Sequence, residues 1–263
     1  MESFIEKLDK IKASDDGYVR YFSTPGALAG AQEKAGLYAS SPGTVSFLRE
    51  LSGRIPSFGA LFPLLDFEKF SISLVNPEVI IARNNIKGLC WTEYPRYDAS
   101  GSECAQAPCG GIIKKRSACP QYAWTAAETD AMIKKSSLFV TFVFSGLSHP
   151  YAQVEIHKFL LEAEKILKGS GFEIVESFGS GPCRICEEEC LMNGDCRLPG
   201  ERRFSLESCG IMVESITQAA PYLTLYGSRE NWKLEWMRKW QGYSLEKRKY
   251  KSVVGVLLNS GKN

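Results

Sequence analysis

The sequence predicts an α/β fold (or α+β): a βαβ core with a cysteine-rich metal loop after a strand and an N-terminal appended region. Three observations predict it. Leu138–Phe144 is rich in Phe and Val and bounded by polar residues, as a buried strand is, and Phe172–Phe178 reads as a second strand. Between them a helical stretch carries Val154, Leu161 and Ile166 near one face and ends at Gly169–Gly171. Directly after the second strand, the turn G-S-G-P at 179–182 delivers the chain into four closely spaced cysteines, Cys183, Cys186, Cys190 and Cys196.

Taken in order, residues 2–14 form a polar amphipathic start, S-S-P-G at Ser40–Gly43 marks a turn, and Thr44–Leu51 reads as a helix. A Leu/Phe-rich stretch with Pro56 and Pro63 follows. Phe70–Val75 and Val79–Ala82 read as strands on either side of the Asn76–Pro77 turn. None of these residues carries recognisable chemistry, so residues 1–90 are read as a region of unassigned role and residues 91–263 as the cysteine-rich metal-binding domain.

From 90 to about 120 the chain is loop-like and carries Cys90, Cys104, Cys109 and Cys119. Thr125 and Glu128 make the T-x-x-E pattern of a capping box, which starts a helix running to about Lys135. S-H-P at 148–150 caps the long helix. Strand, helix and strand in succession predict a right-handed parallel βαβ unit, and a metal loop at the end of its second strand lies where α/β proteins keep their sites. Beyond the cluster, Ser205 caps a helix to about Ala219, and Tyr222–Tyr226 and Val253–Leu258 read as strands. A last helix over Asn231–Gln241 would align Trp232, Trp236 and Trp240 on one face.

Composition limits the function classes. The chain has 263 residues, 44% hydrophobic content and a net charge of +2, so no global field calls for nucleic acid or an anionic membrane. Basic residues near the Trp stripe suggest a single-strand platform, but tryptophans at helical spacing pack against a core or partner more often, and the nucleic-acid reading is the weaker one. The opening M-E-S-F-I-E-K-L-D-K is no signal peptide, and the longest apolar stretch is far short of a membrane span. The nine cysteines are therefore expected in a reducing cytoplasm, where they read as metal or redox chemistry.

The main cluster has the spacing C-x2-C-x3-C-x5-C. Thiolates this close on a Gly/Pro-marked segment can converge on one centre. A cubane [4Fe–4S] cluster wants one sulfur ligand per iron, and tetrahedral zinc accepts the same four thiolates, although structural zinc sites more often use two short-spaced pairs. Gly179, Gly181 and Gly194 allow backbone N–H groups to approach cluster sulfurs, and Arg184 and Arg197 flank the ligands. Glu187–Glu189 reads as a solvated acidic turn or a docking patch for a basic partner. Cys104, Cys109 and Cys119, spaced C-x4-C-x9-C, are candidates for a second site. Cys209 near a helix start is a candidate reactive thiolate, with helix packing beside Leu206 and Val213 the stronger alternative. His149 reads as a cap-region residue, and no phosphate-binding loop or dinucleotide fingerprint is present.

Residues 100–215 resemble the predicted metal-binding proteins grouped as domain of unknown function 2284. Cys119–Pro120 with the following helix and Phe/Val strand resembles the family's C-P-P segment. G-P-C-R-I-C…C…C-R-L-P, Gly181 to Pro199, resembles its G-x-C-x-x-C…C…C-R-x-P core. Arg202 or Arg203 and then Ser205–Val213 resemble its R-P-S-M-E-A-x-G-I-D-V. Two positions depart: Gln121 stands for the second proline, and Met212 for an Asp. The resemblance implies metal binding at the cysteine loop and names no reaction. The reading is a cytoplasmic [4Fe–4S] redox protein that passes electrons to a partner protein or reduces a small-molecule substrate. The alternative is a zinc-stabilised, non-enzymatic interaction protein using the Trp face.

Overall fold

A computed structural model describes residues 4–54, 57, 61–63, 65, 67, 69–89, 93–97, 103–108, 120–147, 152–181, 183, 185–186, 196–219, 224–227, 235–237 and 250–260. The chain opens with four helices: α1 (Phe4–Ser14), α2 (Asp16–Phe22), α3 (Pro25–Ala39) and α4 (Pro42–Arg54). Strand β1 (Lys69–Val75), a 3-10 turn over Pro77–Val79 and helix α5 (Asn84–Leu89) follow. Next come β2 (Glu93–Tyr97), β3 (Glu103–Pro108), α6 (Ala126–Lys135), β4 (Leu138–Leu147), α7 (Ala152–Gly169) and β5 (Phe172–Gly179). The remainder is β6 (Phe204–Ser205), a 3-10 turn over Glu207–Cys209, α8 (Val213–Ala219), β7 (Thr224–Gly227), β8 (Glu235–Met237) and β9 (Tyr250–Ser260). No described helix is long and apolar enough to cross a membrane.

The main sheet runs in the order β6-β5-β9-β4-β1-β7-β8. All ten residues of β4 are buried, so both of its faces are covered. Side chains alternate across the sheet, and the period of two divides them between two cores. Leu138, Val140, Phe142 and Phe144 face α4 and α7, together with Phe70, Ile72 and Leu74 of β1 and Val254, Val256 and Leu258 of β9. Phe159 of α7 is the hub of that side, with its ring 5.1 Å from those of both Phe142 and Phe144. Truncating so enclosed a ring to alanine costs about 3–5 kcal/mol. Phe139 and Val143 point the other way, into a core shared by α3, α6, α8 and Cys183. The architecture is thus helix–sheet–helix, an α/β fold as predicted.

Four local expectations are revised. β4 and β5 are both antiparallel to β9 and so parallel to each other, but β9 lies between them; the C-terminal run is apolar enough on both faces to take an interior slot. Val79–Ala82 is no strand: Asn76 accepts a hydrogen bond from the Glu78 N–H and turns the chain into the 3-10 segment, leaving a single bridge between Ala82 and Ile211. Within 90–120, expected as loop, β2 and β3 pair as an antiparallel hairpin. Residues 235–237, expected within a helix, form strand β8 on β7, so Trp236 belongs to a sheet edge and not to a helical Trp stripe; Trp232 and Trp240 lie outside the described residues.

The line expected at residue 90 runs through this assembly. β1 pairs with β4 over seven residues, from Lys69 opposite Ser145 to Val75 opposite Phe139. α1 buries Ile11 against Ile81, Ile86, Leu89 and Met212, and its Lys12 meets Glu214 of α8 at 2.8 Å. Met212 thus sits in an apolar pocket where a carboxylate would lose its hydration without a partner.

Candidate metal centre

The cysteine loop is a crossover between adjacent parallel strands. β5 ends at Gly179, β6 begins at Phe204, and the two pair in parallel, Phe178 opposite Phe204 and Gly179 opposite Ser205. Residues 180–203, containing all four clustered cysteines, therefore leave and re-enter the sheet side by side. Gly181 makes the first turn with φ 63°, in the left-handed region glycine tolerates without a Cβ clash.

Gly179 is needed for a different reason. A Cβ there would stand 2.2 Å from His157 Nε2 on α7, so only glycine lets the strand end lie against the helix. The far end of the loop is tied to the same helix. Arg203 donates from Nε to Glu164 Oε1 at 2.7 Å and from Nη2 to Oε2 at 2.6 Å, and from Nη1 to the carbonyls of Gly200 (2.9 Å) and Arg202 (2.8 Å). Both side chains are buried, at 12% and 7% exposure. Burial works against the guanidinium charge, yet the Glu164 pair outweighs it, with Glu176 and Cys183 adding, and Arg203 is held above its ordinary value.

The thiols differ in depth. Cys183 is 6% exposed and packs in the apolar cluster with Phe178, Phe204, Leu206 and Cys209, while Cys186 and Cys196 are half-buried. All three are free of disulfides. Cys190 and the acidic run Glu187–Glu189 lie outside the described residues, as do Arg184 and Gly194, whereas Arg197 is exposed. Among the described residues no three His, Cys, Asp or Glu side chains converge as a metal-binding group. The donor set fits a thiophilic metal in kind: thiols outside any disulfide, on one loop, the first deep and the later ones shallower.

Cys104 lies on β3, and Cys90, Cys109 and Cys119 lie outside the described residues. The segment after Cys119 is well fixed. Lys87 donates to the carbonyls of Trp124 (2.8 Å) and Ala123 (3.3 Å), Trp124 Nε1 donates to Glu176 at 2.8 Å, and the Trp124 ring meets Phe204 edge-on at 6.2 Å. Tyr122 and Ala123 pack on the same cluster as Cys183 and Ile185. The C-P segment and the cysteine loop thus share one core.

Cys209 is no reactive thiolate. It sits in the 3-10 turn, fully buried, and burial pushes its thiol up to about 12. The helix expected from Ser205 is broken at Gly210, whose φ of 81° ends the turn and whose absent Cβ would otherwise meet the Arg83 carbonyl at 2.6 Å. Ser205 does cap, but it caps the turn: its Oγ accepts from the Ser208 N–H at 3.1 Å. His149 lies outside the described residues, and His157 is fully buried beneath Gly179.

The Glu164–Arg203 clamp and the Trp124–Glu176 bond were not read from the sequence. One signal was present: a carboxylate at position 164, one helical turn after Leu160 on the apolar face of α7, has to be buried with a partner. Neither a curated protein nor a solved structure matches this chain. Residues 97–239 match the family described as "Predicted metal-binding protein (DUF2284)". That match takes in the C-P segment, the whole cysteine loop and the turn after it, and spans just over half the chain, so this protein belongs to the predicted metal-binding family of domain of unknown function 2284.

Proposed function

We propose that Cys183, Cys186, Cys190 and Cys196 ligate a [4Fe–4S] cluster and that the protein is a redox protein of the cytoplasm, carrying single electrons between the cluster and a partner protein. The observation that carries this reading is the C-x2-C-x3-C-x5-C run on a crossover whose two ends are pinned together at the sheet edge, in a chain of a predicted metal-binding family. When bound, such a cluster supplies one-electron oxidation and reduction, and four thiolates would leave no iron open to substrate, which favours electron transfer over substrate activation.

The chain's own residues divide the remaining work. Cys183, held in the apolar cluster, would exclude water from the inner side of the centre. Half-buried Cys186 and Cys196 would keep the outer side within reach of a partner. Arg203, fixed by Glu164, holds the loop's exit against α7 so that the outgoing ligands return to the same edge as the first. A substrate-reducing or sulfur-handling role requires one of the four thiolates to be absent from the cluster.

The test is spectroscopic. Anaerobically purified protein is reduced with dithionite and examined by low-temperature EPR: a fast-relaxing rhombic signal integrating to about one spin per chain supports the reading. An EPR-silent, colourless protein containing one zinc would overturn it.

A further inference from the structure

Fixed charges bracket the point where the cysteine loop leaves the sheet. On the α7 side of the β5 end stands the Arg203–Glu164 pair, buried at 12% and 7% exposure. Arg203 lies against the loop's entry as well as its exit, since a Cβ on Gly179 would stand 3.5 Å from that of Arg203. Glu176 stands on the other side of β5, half-buried and two residues before Phe178, and so on the same face as that ring. Its Oε2 accepts from Trp124 Nε1 and its Oε1 from the Ser177 N–H, both at 2.8 Å, so the carboxylate is held in place. Cys183 follows Gly179 by four positions and packs in the cluster that contains Phe178 and Phe204. Burial disfavours the Arg203 charge, but Glu164, Glu176 and Cys183 all favour it, so the guanidinium is within electrostatic reach of the first cysteine.

A thiolate-ligated centre becomes more negative by one charge when it takes up an electron. A fixed charge in poorly solvated surroundings shifts that equilibrium according to its sign. Resting on the [4Fe–4S] reading, we propose that Arg203, Glu164 and Glu176 set the reduction potential of the centre at Cys183, Cys186, Cys190 and Cys196. Arg203 raises the potential, and the two carboxylates lower it. One electron passes from a one-electron donor to the centre, and no bond to these three side chains forms or breaks. They are tuning residues, acting by charge from outside the ligand set.

The test is an EPR-monitored redox titration of the anaerobically purified full chain with dithionite. It reads the ratio of reduced to oxidised centre at the parent's midpoint potential. Glu176→Gln keeps an oxygen to accept from Trp124 and removes the charge, so the ratio should rise at least three-fold, about 28 mV at 59 mV per decade. Glu176→Asp keeps the charge and should change the ratio by less than three-fold. Glu164→Gln should raise the ratio at least three-fold, and Arg203→Met should lower it at least three-fold. Loosening of the loop alone admits water, which favours the more highly charged reduced form in every variant, so the fall in Arg203→Met is the sign a structural role does not give. Should Arg203→Met not fold, Arg203→Lys takes its place: it breaks the two-point bond to Glu164 and keeps the charge. A ratio changed by less than three-fold in Arg203→Lys supports the proposal, and a larger rise overturns it. A parent cluster whose ratio changes by less than three-fold in both Glu176→Gln and Glu164→Gln overturns this inference and leaves the cluster reading standing. A parent without a cluster overturns both.

Discussion

Glu164→Gln should be among the most damaging single substitutions outside the sheet core. It removes the charge opposite Arg203 but leaves the guanidinium buried at 12% exposure. Breaking a buried pair by losing one partner costs about 3–5 kcal/mol, because the remaining charge is uncompensated. Arg203 keeps its bonds to the Gly200 and Arg202 carbonyls, and the new amide oxygen can still accept one hydrogen bond, so the lower end, about 3 kcal/mol, is expected. Arg203→Met should cost more, since those two carbonyls also lose their donor, at about 1 kcal/mol each. The double substitution Glu164→Gln/Arg203→Met removes both charges at once and should recover much of the loss, giving a coupling energy of at least about 2 kcal/mol. Urea unfolding followed by tryptophan fluorescence measures all four corners of the cycle. A Glu164→Gln cost under about 1 kcal/mol, or coupling under about 0.5 kcal/mol, would refute the claim that this clamp holds the loop.

Other consequences follow from the same geometry. Gly179→Ala places a methyl group on His157 Nε2 and should destabilise by about 1–3 kcal/mol through overpacking, with metal content falling as the loop start is displaced; a neutral effect in a urea melt would show that the strand end has room. Cys209, pushed up to about 12 in the fold against an ordinary value of 9.0, stays protonated while the unfolded chain loses its proton first. Its contribution is therefore complete below about pH 9 and lost as pH rises toward 12, so the urea midpoint should fall more steeply between about pH 9 and 11 in the parent than in Cys209→Ala; parallel slopes would refute this. Glu128 accepts from the Thr125 backbone N–H at 2.8 Å and from the Thr125 hydroxyl, which hold its carboxyl below the usual range. That contribution is present above the ordinary carboxylate value and lost as pH falls, so Glu128→Gln should flatten the acid side of the stability profile, measured by thermal unfolding from pH 3 to 7.

The parts of the fold visible in the sequence are those governed by local rules. The capping box at Thr125 and Glu128 forms as written, α7 ends at the Gly169–Gly171 break, and the Phe/Val run of β4 is buried on both faces. What was not visible depends on distant partners. No local signal places β9 between β4 and β5, because the slot is defined by two strands more than seventy residues upstream. Tyr94 and Ala107 pair within a segment whose cysteines and prolines read as loop, and Trp236 pairs across to Leu225 in a segment whose Trp spacing imitates a helix. At the site, the spacing of Cys183, Cys186, Cys190 and Cys196 is purely local and was legible. The support for the loop was not, because Glu164 and Arg203 stand thirty-nine residues apart and meet only in the fold. Cys209 shows the converse: a sequence position near a helix start suggested an activated thiol, and packing made it an inert one.

The most direct test of the account is the iron, zinc and acid-labile sulfide content of protein purified without oxygen, for the parent and for Cys186→Ala. About four irons and four sulfides per chain, with broad absorption near roughly 400 nm lost in the variant, are the predicted result. One zinc and no sulfide, or four irons retained unchanged in Cys186→Ala, would contradict it.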